Sequence, residues 1–558
     1  MNIEALLDRF SRGWRAPAVA ALIAFLAGLP GMFSMPPLDR DESRFAQATA
    51  QMLETGDFVV INFQDQPRFK KPVGIHWLQA ASVSTLSSVE AREIWAYRAP
   101  SLLGAMLAAA ACAWGARAFF SGPVALLAGG LLASTILLST EAFIAKTDAA
   151  LAGFTTLALA AMARIYSASR DGRPAGPATP IVFWLGISAA TLIKGPIGPM
   201  VAGLCGLTLV LWDRKADWVR RLGWGWGLVI FLAIVGPWSW GVTVATDGAF
   251  WGAAVSGDLA PKLAGGQESH GAPFGYHSLA LSLLFFPASL MIPAGLAYAV
   301  RERTSPGVRF AIAWFVPTFL VFELMPTKLV HYPMPTYPAL AWLCAAAALQ
   351  PVGRWTRWSG SLLSLTVGLA LAGGVFYLLS TFGDRSDVTA AAVTGGLFAI
   401  AGLAGAYLLM RRASGAAVVI CGLLGLAAHG VLAGAFAPRL DPLWLSRRVE
   451  SVMAEARLLP RQGIAPGPVA VAGYAEPSLV FALGTATDLR GAASAAEAIS
   501  ERRPAVVEDR ELAAFQMALR QEGVAAREVG SVKGLDYSNG DEMTLRVFAP
   551  ARQEHVAQ

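Results

Sequence analysis

Residues 411–436 read RRASGAAVVICGLLGLAAHGVLAGAF, a run with the composition of a membrane span. No Asp, Glu, Lys or Arg lies between Gly415 and Phe436. About 20 consecutive apolar residues are enough for one helix to cross the hydrocarbon core of a bilayer. Arg411 and Arg412 stand directly before the run, and basic residues flank the cytoplasmic ends of spans. The sequence therefore predicts a transmembrane helix here that begins on the cytoplasmic side.

Comparable apolar runs recur throughout the chain. Hydrophobic residues make up 55% of the sequence, charged residues make up 15%, and the mean hydropathy is +0.51. This composition excludes an ordinary soluble globular protein. Further spans are predicted near residues 17–35, 99–119, 123–140, 148–167, 179–193, 195–212, 222–243, 278–299, 309–325, 334–350, 360–381 and 388–410. We therefore expect a polytopic α-helical membrane protein with about 13 transmembrane helices.

The basic residues of the short loops indicate the orientation. Arg9, Arg12 and Arg15 precede the first span, and no clear signal-peptide cleavage site follows, so we expect a cytoplasmic N-terminus. Alternate loops carry the other basic residues. These are Arg170, Arg173, Arg214, Lys215, Arg220, Arg221, Arg301, Arg303, Arg309, Arg354 and Arg357, together with Arg411 and Arg412. This threading makes residues 36–98 and 244–277 long external loops.

The chain changes character after residue 436. We divide it into a transmembrane part, residues 1–436, with its long first loop at 36–98, and a soluble part, residues 437–558. The strands predicted in the tail are Pro468–Gly473, Ala505–Glu508 and Thr544–Ala549, and the helices are Ser494–Ser500 and Glu511–Glu522. An odd number of spans places this tail outside, so a small C-terminal α/β domain is expected in the periplasm.

Cysteine usage and net charge exclude other classes of protein. All four cysteines lie inside apolar runs, so neither a disulfide framework nor a cysteine metal site is expected. The net charge of +6 is assigned to cytoplasmic loops that face anionic lipid, not to nucleic-acid binding. We expect no required cofactor; a divalent metal is compatible with the sequence but not supported by it. We also expect a monomer surrounded by membrane lipids.

Polar residues that interrupt apolar surroundings gather on the predicted outer face. They include Asp41, Glu42, Lys71, Asp148, Lys194, His270, Lys328 and His331. Carboxylates and lysines that converge where spans meet the outer interface suit an anionic, lipid-linked ligand. Lysine offers a mobile point charge to a phosphate, and an adjacent carboxylate can orient an acceptor or take its proton.

Three stretches of the first loop carry a resemblance to a known family. They are Pro37–Ala46 (PLDRDESRFA), Thr55–Val59 (TGDFV) and Phe69–Ala80 (FKKPVGIHWLQA). In order and spacing they resemble the first external loop of GT-C glycosyltransferases related to the aminoarabinose lipid A transferase and to protein O-mannosyltransferases. The resemblance extends over essentially the whole chain, through Lys146–Asp148, Leu192–Pro196, His270–Tyr276, Pro326–Pro335, Gly473–Phe481 and Asp536–Gly540. Two positions depart from the family pattern: Lys70 replaces a Glu, and Val73 replaces a second proline.

The resemblance implies a GT-C fold and an inverting transfer of one sugar from undecaprenyl phosphate. The sugar would be aminoarabinose, a uronic acid or a hexose, and the acceptor would be lipid A or another cell-envelope molecule at the periplasmic face of a bacterial inner membrane. The site residues expected on this basis are Asp41, Asp148 and Glu42 for catalysis, Lys71, Lys194, Lys328 and Arg44 for the donor phosphate, and His270, His331 and Tyr332 for substrate. Asp41 would be the general base for a hydroxyl acceptor, and would only position groups if the acceptor is a phosphate.

Other interpretations remain open from the sequence. A polypeptide acceptor would make the protein a protein O-mannosyltransferase. A transporter or flippase for a lipid-linked sugar would place ionisable residues and broken helices near the midplane, often with internal repeats. Here the charges lie at one interface and no repeat is evident, which favours an enzyme. At single positions, Asp41 and Asp148 could serve only as helix caps, and Lys194 could extend to lipid head groups.

Overall fold

The computed structural model describes residues 3–261, 271–460 and 467–551 of the chain, and helices dominate it up to residue 455. The helices before residue 253 are α1 Ile3–Phe10, α2 Arg15–Ser34, α3 Asp41–Thr55, α4 Gly74–Leu86, α5 Ile94–Ala116, α6 Gly122–Ser134, α7 Ile136–Glu141, α8 Thr147–Arg170, α9 Ala178–Lys194, α10 Ile197–Asp213, α11 Asp217–Arg220, α12 Trp224–Ala245 and α13 Ala249–Gly252. The next are α14 Tyr276–Leu284, α15 Ile292–Arg301, α16 Pro306–Leu324, α17 Tyr337–Ala348, α18 Arg354–Phe382, α19 Val388–Met410, α20 Ser414–Val431 and α21 Leu445–Glu455.

Among the described helices, eight are long and apolar enough to cross a membrane, or nine if one bent pair is a single span. Three shorter apolar helices, α6, α9 and α10, accompany them. The protein is therefore a multi-pass membrane protein. A helix lies in every stretch for which the sequence predicts a span, but several are too short to settle the number of crossings, so the count of thirteen remains a prediction.

The span predicted at residues 278–299 differs from a single straight helix. Tyr276–Leu284 and Ala288–Arg301 meet at an angle of 114°. Pro287 lies in the break, and proline has no N–H for the helical ladder. The carbonyl oxygen of Phe286, freed by the break, accepts a hydrogen bond of 2.9 Å from the backbone N–H of Ile136. The sequence pattern did not predict this break, because the apolar composition of a run does not indicate a change in the direction of the helix.

Small residues bring α5 and α8 close together. A side chain at Gly104 would lie 2.5 Å from the Cα of Ala150, and one at Gly153 would lie 2.5 Å from the carbonyl oxygen of Gly104. Close backbone approach at small residues is the usual way in which membrane helices associate. This contact fixes the first turn of α8, which carries Asp148, against α5.

The first loop folds onto one end of the long helices. It contains α3, α4 and a two-stranded hairpin of β1 Asn62–Phe63 and β2 Gln66–Pro67. The amphipathic helix predicted from Ser43 to Thr55 is α3, which begins two residues earlier. Its buried face includes Phe45, Ala48 and Met52. The loop is thus an ordered layer over the membrane part.

The tail contains a four-stranded mixed sheet in the order β3, β4, β6, β5. Its strands are β3 Ala470–Ala472, β4 Ala505–Glu508, β5 Ala526–Asp536 and β6 Asp541–Pro550, and its helices are α22 Pro477–Leu483, α23 Ala492–Ser500 and α24 Leu512–Glu522. β3 and β4 are parallel, with Val471 opposite Val506, and the other pairs are antiparallel. Three strands lie in the stretches that the sequence predicts, whereas β5 was not predicted because polar residues interrupt its alternation.

The tail docks on the first loop through polar contacts. The hydroxyl of Tyr537 accepts a hydrogen bond of 2.7 Å from the backbone N–H of Asp39, and the Ser478 hydroxyl donates to the Asp39 carboxylate. Arg40 donates to the carbonyl oxygen of Ser538 at 2.5 Å. In the middle of α3, the Gln47 amide donates to the Thr485 hydroxyl at 2.6 Å, and near the end of α3 the same hydroxyl donates to the Glu54 carboxylate at 2.6 Å. Both ends of α3 are therefore held by the tail.

Candidate active site

Asp148 and Lys194 form an ion pair at adjacent ends of two helices. Lys194 Nζ lies 2.5 Å from Asp148 Oδ1, and both side chains are largely buried. Asp148 is in the first turn of α8 and Lys194 is in the last turn of α9, so each charge faces the helix end that favours it. Gly195 ends α9 at φ 61° and ψ −129°, a conformation open essentially to glycine alone. The Lys-Gly-Pro sequence thus places this ammonium group at the break between two helices.

Lys146 connects Asp148 to two further groups. Its Nζ lies 2.9 Å from Glu141 Oε1, 3.6 Å from Asp148 Oδ2 and 3.3 Å from His331 Nδ1. Burial disfavours the charged ammonium, but Glu141 and Asp148 outweigh this effect, with a smaller contribution from Asp41, so the pKa of Lys146 is raised. We call Glu141, Lys146, Asp148, Lys194 and His331 the lysine–carboxylate cluster.

His331 is a neutral member of the cluster. Burial holds the pKa of His331 well below its usual range despite the nearby Asp148 carboxylate. An ammonium group only donates hydrogen bonds, so His331 Nδ1 accepts from Lys146 and the ring proton resides on Nε2. Nε2 faces Asp148 Oδ2 at 3.6 Å. The imidazole can therefore present a proton toward the carboxylate without adding a charge.

Three members of the cluster, Asp148, Lys194 and His331, line a cavity of about 180 Å³. Lys70, Lys71, Asp148, Lys194, His331 and Tyr332 supply its polar lining. The Lys194 ammonium lies 5.3 Å from the centre of the Tyr332 ring, within range of a cation–π contact. The apolar lining consists mainly of Leu151, Ile197, Phe250, Trp251, Val255, Phe322 and Met325. The cavity therefore combines lysine side chains with an apolar lining.

Glu42 has a different environment from the other predicted site residues. Its carboxylate is 1% exposed and pairs with the fully buried Arg98 through two hydrogen bonds of 2.8 Å. It also accepts from the backbone N–H groups of Leu38 at 2.8 Å and Ala145 at 2.7 Å. The remaining Arg98 donors bind carbonyl oxygens at the end of α2, including that of Met35 at 2.6 Å. With every oxygen engaged, Glu42 is better suited to holding the loop than to catalysis.

Three further predicted residues, Asp41, Arg44 and Lys328, are not among the residues that line the cavity. Asp41 is exposed at the start of α3 and acts electrostatically on Lys146, and Arg44 is half-buried one turn later. Lys328 is buried, donates to the carbonyl oxygen of Met325 and lies near His277, but is not among the residues that line the cavity. His270 lies outside the described residues. The structure thus brings together Lys71, Asp148, Lys194, His331 and Tyr332.

Sequence reasoning gave no role to two lysines at this site. Lys146 stands in the quoted Lys146–Asp148 motif, and its position two residues before Asp148 was the available signal. Lys70 was noted only as a departure from the family pattern, yet it lines the cavity beside Lys71. Among the described residues, no three His, Cys, Asp or Glu side chains are arranged to hold a metal ion. The possible involvement of a metal therefore stays untested.

The sequence and the fold of this chain are similar to those of known membrane glycosyltransferases. Residues 39–246 match the family profile described as dolichyl-phosphate-mannose-protein mannosyltransferase. ArnT from Cupriavidus metallidurans, solved with undecaprenyl phosphate, superposes with a TM-score of 0.72 at 19% identity over 95% of this chain and 96% of that one. The chain has the GT-C fold and resembles the GT-C glycosyltransferases. An archaeal oligosaccharyltransferase from Archaeoglobus fulgidus is more distant, with a TM-score of 0.51 at 13% identity over 97% of this chain and 74% of that one.

Curated relatives of this GT-C protein carry a more specific name. Undecaprenyl phosphate-α-4-amino-4-deoxy-L-arabinose arabinosyl transferases from Pseudomonas paraeruginosa and Pseudomonas aeruginosa are both 28% identical to it. The alignments cover 59% and 63% of this chain, and the same shares of the two relatives. The chain thus matches about three fifths of the length of these relatives. Their names support a membrane glycosyltransferase and leave the substrates of this chain to be proposed.

Proposed function

We propose that this protein is an inverting glycosyltransferase that takes one sugar from undecaprenyl phosphate at the periplasmic face of a bacterial inner membrane. The observation that carries the proposal is the cavity in which Lys71 and Lys194 adjoin a wall of apolar side chains. A phosphate on a long isoprenoid chain matches this lining, because it has an anionic group for the lysines and an apolar chain for the apolar side chains. The relatives' names support aminoarabinose as the sugar, with lipid A or another envelope molecule as the acceptor.

The lysines would act on the leaving phosphate. In the transfer, the bond between the sugar's anomeric carbon and the phosphate oxygen breaks, and the electron pair leaves with the phosphate. Positive groups placed where this charge develops lower the barrier. Lys194 and Lys71 line the cavity, and Lys146 supports Lys194 indirectly because both contact Asp148. Lys328 and Arg44 do not line the cavity and would add to the positive electrostatic potential around the phosphate.

The acceptor would approach from the side opposite the phosphate, which gives inversion. If it is a hydroxyl, its oxygen bonds the anomeric carbon while its proton passes to Asp41, the exposed carboxylate at the start of α3. If it is a phosphate, no proton needs to be removed and Asp41 positions the acceptor. Asp148, which is held by two lysines, keeps the cluster in place during the step.

The wider arrangement that we propose follows from the basic loops. Thirteen spans from a cytoplasmic N-terminus would place the first loop, the lysine–carboxylate cluster and the tail from about residue 437 on the periplasmic side. The α/β tail would then be a soluble periplasmic domain that covers the first loop. The docking contacts of Asp39, Arg40 and Gln47 with the tail support this shared side.

Transfer assays on the purified full chain test the proposal, with undecaprenyl phosphate-aminoarabinose as donor and lipid A as acceptor. Lys194→Ala and Lys71→Ala should each lower kcat/KM for the donor by about 10- to 100-fold, because a charge-assisted contact to phosphate is worth roughly 1.5 to 3 kcal/mol. Lys215→Ala removes an exposed lysine from a basic loop and should leave transfer unchanged.

Unchanged donor kinetics in both cavity variants would refute the phosphate site. Lipid extracts from a deletion strain supply the second measurement, because mass spectrometry should show an envelope molecule that lacks one sugar. Loss of a glycan from protein instead would indicate the protein O-mannosyltransferase alternative. Accumulation of an unused lipid-linked sugar on the cytoplasmic side would indicate a flippase.

A further inference from the structure

A second polar cavity lies at the opposite end of the helices from the candidate active site. Helix α17 connects the two regions, since Met334 and Pro335 before it line the active-site cavity and Ala348 at its end lines the second one. A helix of this length rises about 18 Å. The second cavity has a volume of about 800 Å³ and is lined by Arg354, Arg357 and Arg412. We call it the arginine cavity.

Arg357 is half-buried, Arg354 and Arg412 are exposed, and no carboxylate of the described residues lies against them in this cavity. No Asp or Glu is among the described residues that line the cavity. Within the described residues, the three guanidinium groups form no hydrogen bond or ion pair with another side chain, and the Nε atom of Arg357 is buried without a hydrogen-bond partner. A buried polar donor that lacks a partner is costly, so its retention points to a ligand. Guanidinium groups bind phosphate oxygens in pairs, which makes a phosphate the matching anion.

The surroundings place this cavity at the depth of lipid head groups. Trp355 and Trp358, on the first turns of α18, are 82% and 54% exposed. Exposed tryptophans beside spans mark the boundary between acyl chains and head groups. Leu7 of α1 and Leu409 of α19 form part of the lining, so the cavity has apolar walls next to its charges. The basic loops put this end of the helices on the cytoplasmic side, where the leaflet is rich in anionic lipid.

We propose that the arginine cavity binds the phosphate of an anionic phospholipid from the cytoplasmic leaflet. The three guanidinium groups would hold the phosphodiester, and the glycerol and acyl chains would leave past Leu7 and the exposed tryptophans. Gln350, which also lines the cavity, accepts a hydrogen bond of 2.6 Å from Arg301 through its side-chain oxygen. Its placement in the cytoplasmic leaflet rests on the proposed threading, and its occupancy does not depend on sugar transfer.

Native mass spectrometry of the full chain in detergent tests this site. The probes are phosphatidylglycerol, phosphatidylcholine with the same acyl chains, and inorganic phosphate. Phosphatidylglycerol should bind about tenfold more tightly than phosphatidylcholine, because each arginine near an anionic head group contributes to binding. The triple variant Arg354→Gln, Arg357→Gln, Arg412→Gln should lose that preference. The matched control Arg214→Gln, Lys215→Gln, Arg220→Gln removes the same charge from exposed positions elsewhere on the basic face and should keep it.

An equal loss in the control would overturn the site in favour of general surface charge, and no loss in either variant would overturn it outright. Displacement of the lipid by millimolar inorganic phosphate would show that the cavity binds the free anion instead. If the triple variant fails to fold, a photoreactive phosphatidylglycerol on the unaltered protein gives an independent answer. Its adduct should map to residues 348–357 or 409–416, and an adduct found only elsewhere would contradict the proposal.

Discussion

Two adjacent acidic residues of the first loop have opposite environments. Asp41 is exposed at the start of α3, whereas Glu42 is buried and bonded to Arg98. A buried ion pair contributes little net stability, but removal of one partner leaves an uncompensated charge in the protein interior. Substitutions of the two residues should therefore have different effects: a change at Glu42 should impair folding, and a change at Asp41 should impair activity.

Arg98→Met should destabilise the protein by about 3 to 5 kcal/mol, because the Glu42 carboxylate stays buried without its partner. Thermal unfolding can be followed with a thiol-reactive dye, since all four cysteines are buried in the folded protein. The double variant Arg98→Met, Glu42→Leu should recover much of the loss. A single variant as stable as the unaltered protein would mean that the pair does not anchor the loop.

Asp41→Asn should leave thermal unfolding unchanged and lower sugar transfer by about 10² to 10⁴, the usual range for a general base. Asp65→Asn, an exposed change in the same loop, serves as the control and should retain full turnover. Near-normal turnover of the Asp41 variant with a hydroxyl acceptor would show that this residue only favours the helix start.

The sequence could predict the residues of the site better than their roles. The residues of Lys146–Asp148, Leu192–Pro196 and Pro326–Pro335 do contribute to one cluster, as their shared side predicts. The sequence could not distinguish the structural role of Glu42 from the proposed catalytic role of Asp41. The partner of Glu42, Arg98, is 56 residues away, and no local pattern indicates the pairing. The sequence also could not show that Lys194 lines the cavity and Lys328 does not, because the position of Lys328 depends on the turn after α16.

At the scale of elements, the contact between the first loop and the tail contains a titratable group. Burial raises the pKa of Asp39 from 3.8 to about 7; the Ser478 hydrogen bond opposes this, and the Glu476 and Asp536 carboxylates add to it. The folded state therefore holds a proton that the unfolded chain releases near pH 4. Its contribution to stability is complete below pH 4 and is lost as the pH rises to about 7.

The unfolding temperature should accordingly rise as the pH is lowered from 8 to 5, by an amount that corresponds to about 1 to 2 kcal/mol for this partly screened group. Asp39→Asn keeps the shape and removes the titration, so its unfolding temperature should vary less over this range. Equal pH dependence in both proteins would mean that another group is responsible.

Elements were predicted most reliably where one face is apolar. The helix α3 follows from its amphipathic spacing, and β4 follows from an uninterrupted apolar run. The bend at Pro287 was missed because apolar composition does not report direction, and the strand β5 was missed because polar residues interrupt its alternation.

At the scale of the whole molecule, the proposed sidedness can be tested by labelling. Gln521→Cys lies on an exposed helix of the tail and Lys215→Cys lies in a basic loop, and the native cysteines are buried. A membrane-impermeant maleimide applied to the periplasmic side should label the first variant and not the second. Labelling of position 521 only after the inner membrane is opened would place the tail in the cytoplasm and would invalidate the threading.

The buried bond between Glu42 and Arg98 also sets an order of events during biogenesis. Arg98 stands near the start of α5, while Glu42 belongs to the loop that precedes this helix. The guanidinium group has no carboxylate partner until α3 of the first loop has folded against α5. Insertion of the second long helix and folding of the first loop are therefore coupled, and a chain that fails at either step would present an unpaired arginine to cellular quality control.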